Sequence, residues 1–299
     1  FAFSLDNYPR ITTVIDSNSL NDFLNPEFTE ILEEYKNETL RVGLMGVWTE
    51  AKISYLAYDL TTRYPNFEIA ICSALTAGSS RSQHYLALSQ LERLLGVRVF
   101  SSIGEFTNFL SDTKIEIPLP MPKLVDMPFI EMDNNSLAEI EDTDLKLIRY
   151  LFRDCKSIHL KTLTGGYSGN IVLSVESVDI HGHKQTPHVL KIGEQGEMGK
   201  ERSSFEKVEN VLGNSAPRIS DFADLNGRGA LKYRYAAMGD GFSNTFQKMY
   251  CSGLSHEKTK AFLTSIFKEQ LGRFYFAAEL ESQNLLEHYW FKPDYAPRM

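Results

Sequence analysis

Residues 163 to 240 hold the side chains whose types and spacing best suit phosphate chemistry. Gly165-Gly166-Tyr167-Ser168-Gly169-Asn170 lies between two strand-like runs. Glycines in a β-turn let backbone N–H groups approach phosphate oxygens without side-chain obstruction, and Ser168 adds a hydroxyl. The same glycines also suit a plain hairpin turn. Lys191, in the apolar run Val189-Leu190-Lys191-Ile192, sits where a strand lysine would reach those phosphates. A glutamate on the following helix would hold it. Glu201 is the preferred partner and Glu206 the rival. Ala236-Ala237-Met238-Gly239 falls where a hinge would offer backbone groups to an adenine ring. His181 and His183 flank Gly182 in a turn. That pair suits a metal contact or, the preferred reading, a solvated turn.

Phosphoryl transfer also needs a catalytic-loop Asp and a metal-binding Asp. After Tyr250 there is no His-x-Asp followed by Asn and no Asp-Phe-Gly; Asp294 follows a Trp-Phe pair without that context. No catalytic residue is therefore assigned, and the chain as it stands is not expected to phosphorylate an acceptor.

A second place of interest is Gly46-Val47-Trp48-Thr49-Glu50-Ala51-Lys52-Ile53. It reads as a strand running into a helix, with Thr49 as the helix N-cap. Free N–H groups and the helix dipole there stabilise negative charge, so Lys52 is a cation at the unfavourable end. Two uses of Lys52 stay open: an anion contact or a pairing with Asp16, and an outward lysine meeting solvent or a local carboxylate. The second is preferred because exposed lysines are the commonest kind. Cys72 lies inside a strand-like run rather than at a strand end.

Elements of two kinds must position these residues. From 41 to 112, short apolar runs alternate with helical patterns. The runs are Arg41 to Trp48, Phe67 to Leu75 and Val97 to Phe100. Helical periodicity covers Ile53, Leu56, Ala57 and Leu60, then Leu86, Leu88, Leu91 and Leu95 with Gly96 as C-cap, then Ile103 to Leu110. Strand–helix alternation predicts right-handed βαβ units and a parallel sheet. Prolines at 118, 120, 122 and 128 mark 113–141 as an extended connection. Asp142 opens a helix. The runs 158–163, 171–178, 187–192, 218–223 and 229–236 then predict a five-stranded antiparallel sheet. A helix over 199–212 interrupts it, and Asn226-Gly227 makes the last turn. The stretch from Ser243 to Tyr289 reads as helical.

The 299 residues are 42% hydrophobic and 23% charged, which excludes a mainly disordered chain. At roughly 150 residues per domain, two domains are expected. The net charge of −8 argues against a dedicated nucleic-acid binder. No apolar run approaches the ~20 residues needed to span a bilayer, so no membrane partner is expected. Three scattered cysteines (Cys72, Cys155, Cys251) fit neither a disulfide framework nor a zinc pattern, which points to the cytoplasm.

Residues 10 to 112 resemble the isochorismatase-like cysteine hydrolases, on the segment 46–53, the Ser/Arg/Gln/His helix start at 80–84 and Gly96-Val97. The resemblance implies a nucleophilic cysteine at the place held by Lys52, a triad Lys near 14–18, where there is none, and a triad Asp from an earlier strand. A hydrolase-like domain without its chemistry is therefore expected. Residues 158 to 250 resemble the protein-kinase-like superfamily, nearer its small-molecule phosphotransferase branch. Gly-Gly-Tyr-Ser-Gly-Asn, Val-Leu-Lys-Ile-Gly and Ala-Leu-Lys-Tyr-Arg-Tyr also look like bacterial ternary-complex-associated domains. The expectation is an α/β chain with three parts. A Rossmann-like three-layer parallel-sheet domain (1–112, N-terminally truncated) precedes a Pro-rich linker (113–141). An α+β kinase-like N-lobe with the start of a helical C-lobe follows (142–299, C-terminally truncated). The kinase-like resemblance implies ATP and Mg as cofactors, held by Gly165, Gly166, Ser168, Gly169, Lys191, Glu201 and Met238, with an unknown small-molecule or protein acceptor. The alternative is a non-catalytic scaffold built from a pseudo-hydrolase and a pseudokinase.

Overall fold

Apolar residues on both faces of one strand organise the first half of the chain. The computed structural model describes residues 13–111, 128–132, 140–163, 169–212, 218–234 and 246–277. Strands β1 (Leu40–Val47), β2 (Phe67–Ala77) and β3 (Arg98–Phe100) form a parallel sheet in the order β1-β2-β3. Side chains alternate across a strand, so β2 feeds two cores. Ile69 and Ile71 pack with Ile53, Ala57, Leu60, Leu88 and Leu91, while Ala70 and Cys72 meet Phe106 on the opposite face. Helix α1 (Pro26–Glu34) begins at Asn25, whose side chain accepts from the Glu27 N–H at 2.9 Å. Helices α2 (Ser54–Arg63) and α3 (Arg81–Leu95) supply the first of these cores, and α4 (Ile103–Leu110) supplies Phe106 to the second. Gly96 closes α3 at φ +68°, a conformation that costs a glycine little.

Two local expectations are corrected here. Thr49 is not an N-cap: Trp48 holds that place without a side-chain cap bond, and Thr49 is fully buried. On α3, Leu86 points outward at 53% exposure, and His84 and Tyr85 are buried instead. Leucine periodicity alone missed them because a histidine and a tyrosine are partly polar.

The second sheet contains β4 (Phe129–Met132), β5 (Cys155–Thr162), β6 (Ile171–Asp179), β7 (His188–Glu194), β8 (Ile219–Leu225) and β9 (Arg228–Arg234). Their order is β4-β5-β6-β7-β9-β8, all antiparallel except the β4–β5 pair. The sheet therefore has six strands rather than the expected five. The sixth comes from the proline-rich connection, where Ile130 and Met132 pack onto the core. Helix α5 (Asp142–Leu151) covers one face, placing Leu147, Ile148 and Leu151 against Leu160, Leu173, Val175, Leu190 and Ile192. Helix α6 (Gln195–Leu212) leaves β7 directly and precedes β8. Asn226 and Gly227 both have positive φ (49° and 82°), as a type I′ hairpin turn requires.

One buried ion pair ties α5 to the sheet. The Asp144 carboxylate is fully buried and accepts from Arg228 Nε and Nη2, both at 2.9 Å. Breaking such a pair leaves a buried charge without compensation. Asp144→Ala should therefore cost about 3 kcal/mol in urea unfolding; a loss below about 1 kcal/mol would show that Arg228 finds solvent unaided.

His188 packs edge-on to the Phe152 ring at 5.9 Å, and burial, then the Lys232 and Arg234 cations, push its imidazole down to about 4. The folded chain holds it neutral while the unfolded chain takes up a proton below its ordinary 6.5. Its contribution to stability is thus lost as pH falls from about 6.5 to 4. The drop in urea midpoint across that window should shrink in His188→Gln; an identical drop in both proteins would rule this out.

The chain divides into two compact units, 1–210 with 216–236, and 211–215 with 237–299. The first holds both sheets, and a polar seam along α6, described below, runs between them. In the second unit the described helices are α7 (Phe246–Cys251), α8 (His256–Thr264) and α9 (Gly272–Ala277), with a π-helical turn at Ser265–Gln270. The Phe246 and Phe262 rings stack there at 5.2 Å.

Candidate functional site

Lys191 and Glu201 meet. Lys191 lies on β7, where it pairs in register with Val172 of β6, close to the point where the glycine-rich segment enters that strand. Its Nζ donates to Glu201 Oε2 at 2.6 Å. Because α6 starts at Gln195 rather than near Gly199, Glu201 falls in the second turn and faces back over β7. Tyr233 of β9 donates its hydroxyl to the other Glu201 oxygen at 2.7 Å. Burial, then that hydrogen bond, push the phenol far up, so it remains a donor. Glu201 is thus held from two sides, and among the described residues it is the one side-chain acceptor of Lys191. An ammonium has three protons, which leaves two for a ligand. Both side chains stay partly accessible, at 24% and 34%.

Gly169 has φ +70°, and the Asn170 amide lies across Gly193, where an added Cβ would come within 2.3 Å of Asn170 Oδ1. The exit of the glycine-rich segment therefore sits over the C-terminal part of β7. Gly165, Gly166, Ser168 and Met238, the residue expected at a hinge, lie outside the described residues.

Glu206, the rival partner, is engaged elsewhere. It accepts from the Tyr85 hydroxyl of α3 and lies 3.8 Å from Arg202. This belongs to a seam between α6 and the first sheet. Arg202, 3% exposed, donates to Ser73 Oγ at 3.1 Å and to the Ser101 carbonyl at 3.0 Å, and its guanidinium covers the Phe222 ring at 4.2 Å. Ser203 donates to Ser101 Oγ at 3.1 Å, and Arg81 pairs with Glu209. Gly199 lets the helix backbone come down on Ser101, since a Cβ there would stand 2.9 Å from the Ser101 carbonyl group. Asp224 of β8 accepts the Ile103 N–H at 3.0 Å, and burial raises its carboxyl above the ordinary range.

At the end of β1, Lys52 is enclosed by the segment before α1. Its Nζ donates to Asp22 Oδ1 at 2.5 Å, the Ser19 carbonyl at 2.6 Å and Ser17 Oγ at 3.1 Å. The pairing with Asp16 is not made; Asp16 offers its carbonyl to Asn25 instead. Thr49 Oγ1 lies 2.7 Å from His84 Nδ1, and burial pushes that imidazole down. Glu50 accepts the Ser79 N–H at 2.7 Å. Cys72 is fully buried, and desolvation raises its thiol. Lys52→Ala should cost less than about 1 kcal/mol in urea unfolding, because the pair is partly exposed. A loss above about 3 kcal/mol would place it with buried pairs.

His181 and His183 sit in an exposed turn at Gly182 whose N–H groups bond Asp179, and no cluster of metal-binding side chains occurs among the described residues. No described helix is long and apolar enough to cross a membrane.

Residues 155–299 match the family model of ternary complex associated domain 9. No curated protein and no solved structure matches the chain. The ternary complex associated domain match opens on Cys155, the first residue of β5. It takes in the glycine-rich segment, Lys191, Glu201, Tyr233 and α6, and leaves out the first sheet, β4 and α5. Two residues of the site escaped sequence reasoning. Tyr233 sits in a strand where a tyrosine reads as packing, and Arg202 sits in a helix where an arginine reads as solvent-facing.

Proposed function

We propose that the six-stranded sheet with α6 is a kinase-like nucleotide-binding lobe, and that the isochorismatase-like first sheet serves as its positioning module rather than as an enzyme. The Lys191–Glu201 pair carries this reading. A strand lysine bonded to a carboxylate of the next helix is the arrangement that prepares a lysine for nucleotide phosphates. Gly169, at φ +70° just before the neighbouring strand β6, suits close approach of a phosphate. The donor set fits ATP–Mg: Lys191 retains two protons for phosphate oxygens, and magnesium would neutralise the remaining phosphate charge. The acceptor class is a small molecule or a protein.

Titration calorimetry of the full chain with ATP–Mg tests the proposal. Saturable binding that weakens at least tenfold in Lys191→Ala is expected; absence of binding, or equal binding by both proteins, would overturn it.

A second reading is favoured by Lys52 and by the words of the matching family model. Where the resemblance asks for a nucleophile, Lys52 is neutralised by Asp22, and the matched domain is named for association in a ternary complex. On that reading both folds are scaffolds. It predicts no ATP–Mg binding at all.

A further inference from the structure

Lys191 has a polar neighbour on its own face of the sheet. In the β6–β7 pair Val172 lies opposite Lys191 and Ile171 opposite Ile192, so the register carries Asn170 to a place beside Gly193. Side chains alternate across a strand, which puts Asn170, Lys191 and the bare face of Gly193 on one side. Asn170 and Lys191 are then diagonal neighbours, near enough for long side chains to reach a common ligand.

Gly193 makes room for the amide. It keeps an ordinary strand conformation, so glycine is not needed there for its backbone. It is needed for clearance: an added Cβ would stand 2.3 Å from Asn170 Oδ1 and 2.9 Å from Asn170 Cγ. A glycine inside a strand often marks such a close approach. The next atom, at 3.1 Å, is Met198 Cε. Met198 lies three residues before Glu201 on α6, and residues so spaced share a helix face. The half-buried Asn170 amide is thus wedged between β7 and the turn of α6 that holds the partner of Lys191.

Packing alone holds it, for no hydrogen bond reaches this amide among the described residues. Its oxygen rests against Gly193, which leaves the amide nitrogen with two unused protons. A donor fixed in advance loses little freedom when it meets a ligand.

We propose that Asn170 is a direct ligand contact, its amide N–H groups donating to the phosphate oxygens that Lys191 also holds. The proposal rests on the nucleotide-binding reading above and adds to it a neutral side-chain donor.

Calorimetry of the full chain with ATP–Mg, together with urea unfolding of the same proteins, tests this contact. Asn170→Ala should weaken binding at least fivefold. Asn170→Asp keeps the size of the side chain but replaces the donor with a negative charge, and it should weaken binding further, at least tenfold. The urea midpoints of both variants should match that of the parent. Unaltered affinity in Asn170→Ala, or Asn170→Asp binding as tightly as Asn170→Ala or more tightly, would overturn the proposal and leave the Lys191 reading standing. So would a urea midpoint that falls along with the affinity, which would make Asn170 a packing residue. No ATP–Mg binding by the parent would instead overturn the nucleotide reading, and this contact with it.

Discussion

Arg202→Ala is expected to destabilise the chain by about 3 kcal/mol, read as a lowered urea midpoint. The guanidinium is almost wholly buried, and it serves Ser73, Ser101 and Glu206 together while covering Phe222. Truncation takes a donor from a hydroxyl and from a carbonyl and removes the guanidinium beside the Glu206 carboxylate, which keeps its bond from the Tyr85 hydroxyl. The consequence extends to α6. That helix carries Glu201 on one side and Arg202, Ser203 and Glu206 on the other, so loosening the seam should move Glu201 relative to Lys191. ATP–Mg binding should therefore weaken in a variant that is still folded under assay conditions. Gly199→Ala, which pushes the same helix away from Ser101 without removing a charge, should act in the same direction. If Arg202→Ala cost less than about 1 kcal/mol, the seam would be a surface contact and the first sheet could not be a positioning module.

Lys191→Ala and Glu201→Gln are expected to weaken ATP–Mg binding at least tenfold, while their urea midpoints stay close to that of the parent. The contrast with Arg202 follows from exposure. The Lys191–Glu201 pair is partly accessible, and such pairs contribute about 0–1 kcal/mol to folding. A charged hydrogen bond to a ligand is worth about 1.5–3 kcal/mol, and tenfold in affinity is about 1.4 kcal/mol. Glu201→Gln keeps the shape and an acceptor for the Tyr233 hydroxyl but removes the charge that orients Lys191. Tyr233→Phe frees one Glu201 oxygen and should weaken binding by a smaller factor, about threefold. Equal affinity across all three variants, measured by calorimetry, would mean that nucleotide, if bound, lies elsewhere.

Much of the architecture could be read from side-chain period. The β2 run announces a doubly buried strand because every second residue serves a different core. Asn226-Gly227 announces its turn because both residues tolerate positive φ. The ten-residue spacing of Lys191 and Glu201 anticipated their contact, although the helix begins four residues earlier than its apolar pattern suggested. What could not be read was the seam. Its groups are Ser73, Ser101, Ser203, Arg202, Tyr85 and Glu206, residue types that ordinarily face water and follow no hydrophobic period. The sixth strand was hidden for a related reason, since the prolines before it, at 118, 120, 122 and 128, outweighed the short alternation of Phe129–Met132.

The most direct test of the nucleotide-binding account is labelling with an acyl phosphate of ATP. A lysine amine beside the bound phosphates attacks the acyl carbonyl, forms an amide and releases ATP, so the label marks the residue that touches the phosphates. Peptide mapping of the full chain should find the acyl group on Lys191, with labelling suppressed by excess ATP–Mg and reduced in Glu201→Gln. Labelling spread over exposed lysines, with Lys191 unmodified or unprotected by ATP–Mg, would contradict it.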